Sequence, residues 1–299
     1  MKRLSVFVAV VLAVLVATFW SKSPFAAEPQ PKVIRFTAIP DNDETMLRER
    51  MRPLAEHLSA KLGVKFEYFH VADYAASVKA LQNGDAFLGW FGGLTGVQVR
   101  ARTNGQAIAQ GEEDKAFYSY LVAHKSTGLK EGTDKFPEDI KGKKFTFGSE
   151  SSTSGRLMPE FYIRQHFKKA PKEIFSDVGF SGSHSITLRL VNAGTWEVGA
   201  VNGKDWEIAK EKGDVNDSVA IWKTPTYADY NWTVRGDIDK VYGDGFTKKI
   251  QDTLLAIDPA QNEEQAAIMK AFTRKRFIAA SNSDYKAIED TAKELGLLR

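Results

Sequence analysis

Short runs rich in β-branched and aromatic residues alternate with longer amphipathic stretches from residue 33 onward. The short runs predict nine strands, over 33–39, 64–70, 86–92, 117–124, 143–149, 174–180, 197–201, 218–224 and 230–235. Apolar residues at helical spacing predict helices over 41–62, 73–82, 95–100, 153–167, 183–191 and 204–211, and three more after residue 237. This alternation is typical of an α/β protein with parallel sheets covered on both faces.

The order of these elements predicts two α/β lobes joined by two crossing strands. We expect residues 28–117 plus 232–299 to form the first lobe and residues 118–231 the second. The crossings should lie near 117–124 and 224–234. In open α/β sheets, ligands bind beyond the carboxyl ends of the strands, so the cleft between the lobes is the expected binding site.

The first 27 residues have the pattern of a secretory signal peptide. Lys2 and Arg3 precede an uncharged apolar stretch that ends at Trp20, and small residues follow near Ala26 and Ala27. The alternative is an uncleaved anchor with a single membrane span, although the apolar run is short for that role. Residues 1–27 are therefore interpreted as a signal peptide that leads to the periplasm.

Composition narrows the possible functions. The 299-residue chain is 43% hydrophobic and 26% charged, as in ordinary globular proteins. The signal segment carries three basic residues and no acidic one, so its removal brings the net charge from +3 to zero. A neutral mature chain offers little electrostatic attraction to nucleic acid. The absence of cysteine excludes thiolate catalysis, thiolate metal sites and lipoprotein acylation.

The segment "GSESSTSGR" (148–156) places several hydroxyl side chains between a predicted strand and a predicted helix. A helix N-terminus has unpaired N–H groups and a partial positive charge. Ser152, Thr153 and Ser154 would add hydroxyl donors there, which together favour an anion-binding site. The alternative for any one of these hydroxyls is a simple helix cap.

Two further segments place polar side chains at the start of a helix. In "GFSGSHS" (179–185), His184 follows a strand and could donate a hydrogen bond to an oxyanion; its alternative is a surface or capping role. In "HVADYAAS" (70–77), Tyr74 begins the second helix and could reach the cleft; its alternative is packing against the sheet.

Three more candidates stand at strand ends or at the return crossing. Trp90 lies in "LGWFGGLTG", Asn202 in "GAVNGKDWE" and Tyr227 in "TPTYADYNW". Aromatic residues at strand ends usually belong to the core, so a structural role competes with ligand binding for Trp90. Asn202 and Tyr227 could each reach a ligand between the lobes, but a structural role is the stronger expectation for either residue alone.

Motifs of catalysis are missing from the sequence. It contains no G-x-S-x-G elbow, no H-E-x-x-H pattern, no phosphate-binding P-loop and no dinucleotide fingerprint. The five histidines are scattered without metal-ligand spacing. We therefore expect neither an enzyme nor a protein with a cofactor or metal, and we keep an exported hydrolase only as the weakest alternative.

Four segments of the chain resemble the periplasmic substrate-binding components of phosphonate and phosphite ABC transporters. They are "AIPDNDE", "ADYAASVKALQNGDAFLGWFGG", "FTFGSESSTSGRLMP" and "GFSGSHSITLRLV". The resemblance covers residues 32–297, and the segment "WFGGLTGVQ" is similar to a selenate-type branch of the family. It implies a type 2 periplasmic-binding-protein fold that closes over a tetrahedral oxyanion, and a monomer that delivers this ligand to a membrane permease.

The resemblance also implies ligand contacts from Ser152, Thr153, Ser154, Tyr74 and His184. This chain departs from many relatives at Trp90, where they carry tyrosine, and at Asn202, where phosphonate and phosphite binders commonly have a carboxylate. A neutral amide would suit a fully deprotonated oxyanion such as selenate or sulfate, or a small phosphorus oxyanion without an amine. The main alternative function is a sensor subunit that presents the bound oxyanion to a histidine kinase.

Overall fold

The computed structural model describes residues 33–132 and 134–298. The predicted signal peptide, residues 1–27, lies outside the described residues. Within those residues, no helix is both long enough and apolar enough to span a membrane.

The described chain forms eleven strands. In chain order they are β1 Val33–Ala38, β2 Lys65–Tyr68, β3 Leu88–Phe91, β4 Gln106–Gly111, β5 Ser119–His124, β6 Lys144–Phe147, β7 Asp177–Phe180, β8 Val198–Asn202, β9 Ser218–Lys223, β10 Asn231–Val234 and β11 Phe277–Ala279. All nine strands predicted from the sequence are present, whereas β4 and β11 were not predicted.

The same part of the chain forms eleven α-helices. They are α1 Glu44–Leu62, α2 Tyr74–Asn83, α3 Gly93–Thr103, α4 Met158–Phe167, α5 Pro171–Ile174, α6 His184–Asn192, α7 Gly203–Lys212, α8 Ile238–Tyr242, α9 Phe246–Leu255, α10 Glu263–Phe272 and α11 Lys286–Glu294. The three helices expected after residue 237 are four in the structure, together with strand β11.

The strands form two separate sheets, one for each expected lobe. The first sheet has the order β11-β4-β10-β3-β1-β2, and the second has the order β7-β6-β8-β5-β9. The prediction of purely parallel sheets is wrong. β1, β2 and β3 are parallel, but β10 runs antiparallel to β3 and to β4 because the chain returns from the second lobe in the opposite direction.

Local sequence signals fix the ends of the helices that border the cleft. Asp73 caps α2 by accepting a hydrogen bond from the Ala76 amide at 2.7 Å. Gly84 ends the helix as predicted, at a φ of 86° that glycine adopts without steric cost. Asp43 caps α1 in the same way, through the amides of Thr45 and Met46.

Two chain segments cross between the sheets, one from β4 to β5 and the other from β9 to β10. They pair with each other at Phe117 and Tyr227, whose backbone groups exchange two hydrogen bonds of 2.9 Å. A buried ion pair fixes the first crossing to the first lobe, since Arg274 donates two bonds of 2.7 Å to Asp114. The fold is thus a bilobed α/β molecule with two crossing segments, as expected from the sequence. The exact lobe boundaries, 28–117 plus 232–299 and 118–231, stay a prediction.

Candidate ligand-binding site

The turn that follows β6 is called the hydroxyl turn, because it carries Ser152, Thr153 and Ser154 at its centre. Ser152, Thr153 and Ser154 are each only 2% exposed. The Ser152 hydroxyl oxygen accepts a hydrogen bond of 2.9 Å from the Gly155 amide, which confirms that Ser152 caps the helix. The helix begins with a wide π-type turn at Thr153–Leu157 before α4, a departure from regular geometry that often accompanies functional sites.

His184, the first residue of α6, lies against this turn. Its Nδ1 accepts a hydrogen bond of 3.3 Å from the backbone N–H of Asn202, so the neutral ring carries its hydrogen on Nε2. Nε2 lies 3.3 Å from the Ser154 hydroxyl oxygen. Burial lowers the pKa of His184 to about 4, and the ring therefore stays neutral at neutral pH and acts as a fixed donor.

Tyr74 approaches the same turn from the first lobe, at the N-terminus of α2. Its side chain is buried, and its hydroxyl has no hydrogen-bond partner. The Ser152 hydroxyl lies near enough to lower the pKa of this phenol, but burial dominates and raises the pKa well above its ordinary value. Tyr74 therefore presents a neutral, unpaired O–H group toward the hydroxyl turn.

Thr153 connects the hydroxyl turn to the first lobe. Its hydroxyl oxygen accepts a hydrogen bond of 2.9 Å from the Leu94 amide in the first turn of α3. Gly92, which precedes this helix, allows the approach, because an added Cβ would lie 3.1 Å from the Thr153 hydroxyl oxygen. The second-lobe turn thus meets a helix N-terminus of the first lobe directly.

Asp229 is a candidate site residue that the sequence reasoning missed. It lies beside Thr153 on the return crossing, and its Oδ1 accepts a hydrogen bond of 2.8 Å from the Gly93 amide. Its Oδ2 is buried without a partner. Burial raises the pKa of Asp229 to about 7. The signal in the sequence is a single carboxylate within the aromatic crossing segment "TPTYADYNW".

Tyr227 is brought to the hydroxyl turn, but its own hydroxyl is already paired. It shares a hydrogen bond of 2.5 Å with the Ser119 hydroxyl, which in turn donates to the Ser154 carbonyl oxygen at 2.8 Å. Tyr227 also carries the backbone pairing with Phe117. These contacts fit a residue that supports the turn from the crossing segment.

Asn202 lies behind His184, and its side chain is occupied. Its Oδ1 caps α7 by accepting a hydrogen bond of 3.0 Å from the Asp205 amide. Its Nδ2 donates to the Asp205 carboxylate and to the Tyr230 hydroxyl, both at 3.1 Å. The expectation that this amide is free to donate to a ligand therefore has no support in the geometry.

Trp90 lies in an aromatic cluster of the first lobe. Its ring stacks on Tyr230 with centroids 5.5 Å apart, and Trp232, Phe272 and Phe277 surround it at 5.3–5.8 Å. It also lines a cavity of about 30 Å³, lying beside Asn202 and Tyr230. The core alternative considered for Trp90 thus matches its surroundings.

The structure therefore gathers most of the predicted site residues around one point between the lobes. A larger groove of about 590 Å³ runs between α1, α6 and α7 and contains none of them. Among the described residues, no group of three or more histidine, aspartate or glutamate side chains is arranged to hold a metal ion. The predicted site residues that meet at the hydroxyl turn are Tyr74, Ser152, Thr153, Ser154, His184 and Tyr227. The structure adds Asp229 to them.

Comparison with known proteins assigns the chain to a family. Residues 36–285 match the family model described as "ABC transporter, phosphonate, periplasmic substrate-binding protein". The chain is 39% identical over 279 residues to the probable ABC transporter phosphite binding protein PhnD1 of Prochlorococcus marinus (strain MIT 9301). That match covers 90% of this chain and 92% of the relative.

Solved structures agree with this assignment. The structure of Prochlorococcus marinus PhnD1 in complex with methylphosphonate is 38% identical, has a TM-score of 0.84, and matches 89% of this chain and 99% of its own. The aliphatic sulphonate binding protein SsuA of Escherichia coli shares the fold at 14% identity, with a TM-score of 0.58 and coverage of 90% and 89%. The chain belongs to the periplasmic substrate-binding proteins of phosphonate-type ABC transporters, a family of binding proteins and not of enzymes.

Proposed function

We propose that this protein binds a small phosphorus oxyanion, of the phosphite or methylphosphonate kind, between Tyr74 and the hydroxyl turn. One observation carries the proposal: an unpaired donor and an unpaired acceptor are buried on the two sides of this turn. The donor is the Tyr74 hydroxyl, and the acceptor is Asp229 Oδ2. Buried polar groups without a partner are costly, so a ligand that satisfies both would stabilise the closed form.

Neutral donors account for the recognition of the negative charge. The Ser152 and Ser154 hydroxyls, the His184 Nε2–H group and the Tyr74 phenol converge with the amides that begin the helix. Hydrogen bonds to a charged group contribute about 1.5–3 kcal/mol each. Three to five such bonds are enough for a micromolar complex, at about 8 kcal/mol, without a paired cation.

With a pKa of about 7, about half of the Asp229 side chains are ionised at neutral pH, and this ionised form favours a ligand that keeps one proton. A phosphonate or phosphite monoanion has a P–OH group that can donate to Oδ2, whereas selenate and sulfate carry no such hydrogen at neutral pH. The selenate-type ligand that the sequence suggested stays a prediction, and the environment of Asp229 argues against it. With Asn202 engaged in its own cap, the neutral amide no longer separates the two ligand classes.

The relatives support the same ligand class. The name of the Prochlorococcus marinus protein gives phosphite as its ligand, and that protein's crystal structure contains methylphosphonate. In our proposal, closure of the lobes brings Tyr74 over the bound anion, and the closed form then docks on the permease of the transporter. Delivery to a histidine kinase is the competing role. Co-purification with either membrane partner would separate the two.

Isothermal titration of the mature protein against six oxyanions tests the proposal. We expect phosphite or methylphosphonate to bind most tightly, ahead of phosphate, selenate, sulfate and 2-aminoethylphosphonate. The Asp229→Asn variant should lose at least tenfold in affinity for the tightest ligand and little for selenate, because only a P–OH group needs the carboxylate. Tightest binding of selenate by the wild type, or an equal loss for both ligands, would contradict the proposal.

A further inference from the structure

A second polar cluster joins the two lobes on the Trp90 side of the interface. The Tyr230 hydroxyl donates a hydrogen bond of 3.0 Å to Asp41 Oδ2, and it accepts one of 3.1 Å from Asn202 Nδ2. Asp41 follows β1 in the first lobe, whereas Asn202 ends β8 in the second. One hydroxyl group therefore bridges the lobes.

The ring of Tyr230 is held in place without this hydroxyl. It stacks on Trp90 at an interplanar angle of 21°, and the Arg274 guanidinium lies 5.3 Å from its centroid. Tyr230 is only 3% exposed. Because packing fixes the ring, the hydroxyl is pre-positioned, and a phenylalanine at this position would keep the packing and lose only the bridge.

Both ends of the bridge are also fixed by their own lobes. Asp41 Oδ1 accepts a hydrogen bond of 3.4 Å from Asn42 Nδ2, and the Arg50 guanidinium lies 3.9 Å from the same oxygen. Asn202 is held by its capping bond to the Asp205 amide. No member of this cluster is a buried polar atom without a partner, so the bridge needs no ligand to complete it.

We propose that Tyr230 is a positioning residue whose hydroxyl latches the lobes in the closed form and so sets ligand affinity without touching the ligand. The apparent affinity of a two-state binding protein equals its intrinsic affinity multiplied by the fraction of closed molecules. A latch that raises this fraction strengthens the binding of every ligand by the same factor. The ligand part of this inference rests on the proposed function; the latch itself does not.

The Tyr230→Phe variant tests the latch. We expect its dissociation constants for phosphite and methylphosphonate to rise by about five- to tenfold, with an unchanged ratio between them and mainly through faster release. Small-angle X-ray scattering of the ligand-free variant should show a larger radius of gyration than the wild type. A direct ligand contact would instead change the ratio, since the two ligands present different groups to the site.

Tyr285→Phe is the matched control. Tyr285 is a similarly buried tyrosine whose hydroxyl lies 3.2 Å from Gln110 Oε1 and 3.4 Å from the Tyr230 backbone carbonyl oxygen, and it bonds neither Asp41 nor Asn202, the two groups that the bridge joins. It should retain the affinity of the wild type to within twofold. Equal losses in both variants, or a changed ligand ratio in Tyr230→Phe, would overturn the latch. If the wild type bound no oxyanion, the proposed function would fail, and an unchanged ligand-free radius of gyration for Tyr230→Phe would still decide against the latch.

Discussion

The two sides of the interface between the lobes differ in how their polar groups are satisfied. Around the hydroxyl turn, Tyr74 and Asp229 each keep a buried polar atom without a partner. Around Tyr230, the hydroxyl and amide groups are paired within the protein. Because these two unsatisfied groups face the same turn, a ligand that pairs with both would lower the free energy, and the paired cluster around Tyr230 holds the lobes in register. We therefore expect the hydroxyl-turn side of the interface to bind the ligand and the Tyr230 side to hold the lobes closed.

The largest expected effect comes from the hydroxyl turn itself. Substitution of Ser152→Ala together with Thr153→Ala should weaken oxyanion binding at least a hundredfold, because it removes the Ser152 donor to a charged ligand and the Thr153 hydroxyl that holds the turn against α3. Loss of the Ser152 cap and of the Thr153–Leu94 hydrogen bond should together cost about 1–2 kcal/mol in the free energy of unfolding. Titration calorimetry and thermal unfolding measure the two quantities separately.

The control for that double variant is Asn262→Ala. Asn262 caps α10 through the Gln265 amide at 2.9 Å, and it lies outside the binding site. It should lose similar stability and keep its affinity. A double variant that behaves like Asn262→Ala would leave the hydroxyl turn with a capping role alone.

The unpaired hydroxyl of Tyr74 gives a more specific test, with a smaller expected effect on affinity. Tyr74→Phe removes a hydroxyl that bonds nothing in the protein, so the free energy of unfolding should stay constant or rise. Affinity should fall by about 10- to 100-fold, as expected for one hydrogen bond to a charged ligand. Tyr242→Phe is the control, since the Tyr242 hydroxyl is also unpaired and belongs to a helix outside the site. A loss of affinity in both variants, or in neither, would remove Tyr74 from the site.

The pH dependence of the free energy of unfolding tests the burial of His184 and of Asp229. Its expected effect is the smallest of those predicted. The pKa of His184 is lowered to about 4, so its contribution to the free energy of unfolding is complete above pH 6.5 and is lost as the pH falls toward 4. Asp229 has the opposite sign: its pKa is raised to about 7, so its contribution is present below pH 3.8 and is lost as the pH rises to 7.

Urea unfolding of the ligand-free protein at several pH values measures both slopes, because a bound anion would itself change both pKa values. Relative to His184→Gln, the wild type should lose about 2 kcal/mol between pH 6.5 and 5. Relative to Asp229→Asn, it should lose stability by about the same amount as the pH rises from 5 to 7. Slopes of the same sign for the two comparisons would show that one of the two groups is not buried as described.

Much of the site is readable from local sequence. The alternation of strands and helices placed Ser152 and His184 after strands and at helix starts, and both positions are confirmed. Caps such as Asp73 and stops such as Gly84 act within a few residues, so they are visible without any tertiary information. The two-lobed α/β fold followed from the order of these elements.

Other features depend on residues far apart in the chain. β10 lies between β3 and β4 and runs antiparallel to both, which no local pattern reveals. Likewise, the Asn202 side-chain amide is bonded by Tyr230, 28 residues away, and Trp90 belongs to the core because four aromatic residues from distant segments surround it. Burial sets the pKa of Asp229, and only the packing of both lobes creates that burial.

The sequence by itself therefore determined the elements, their caps and the hydroxyl turn, because hydrogen bonds and hydrophobic periodicity within a few residues control them. Tertiary structure alone decided which polar groups are left unpaired. Tyr74 and Asp229 stand 155 positions apart in the chain, yet both meet the turn at Ser152 and Thr153. Whether a buried hydroxyl or carboxylate has a partner depends on every segment packed around it, and these segments come together only in the folded protein.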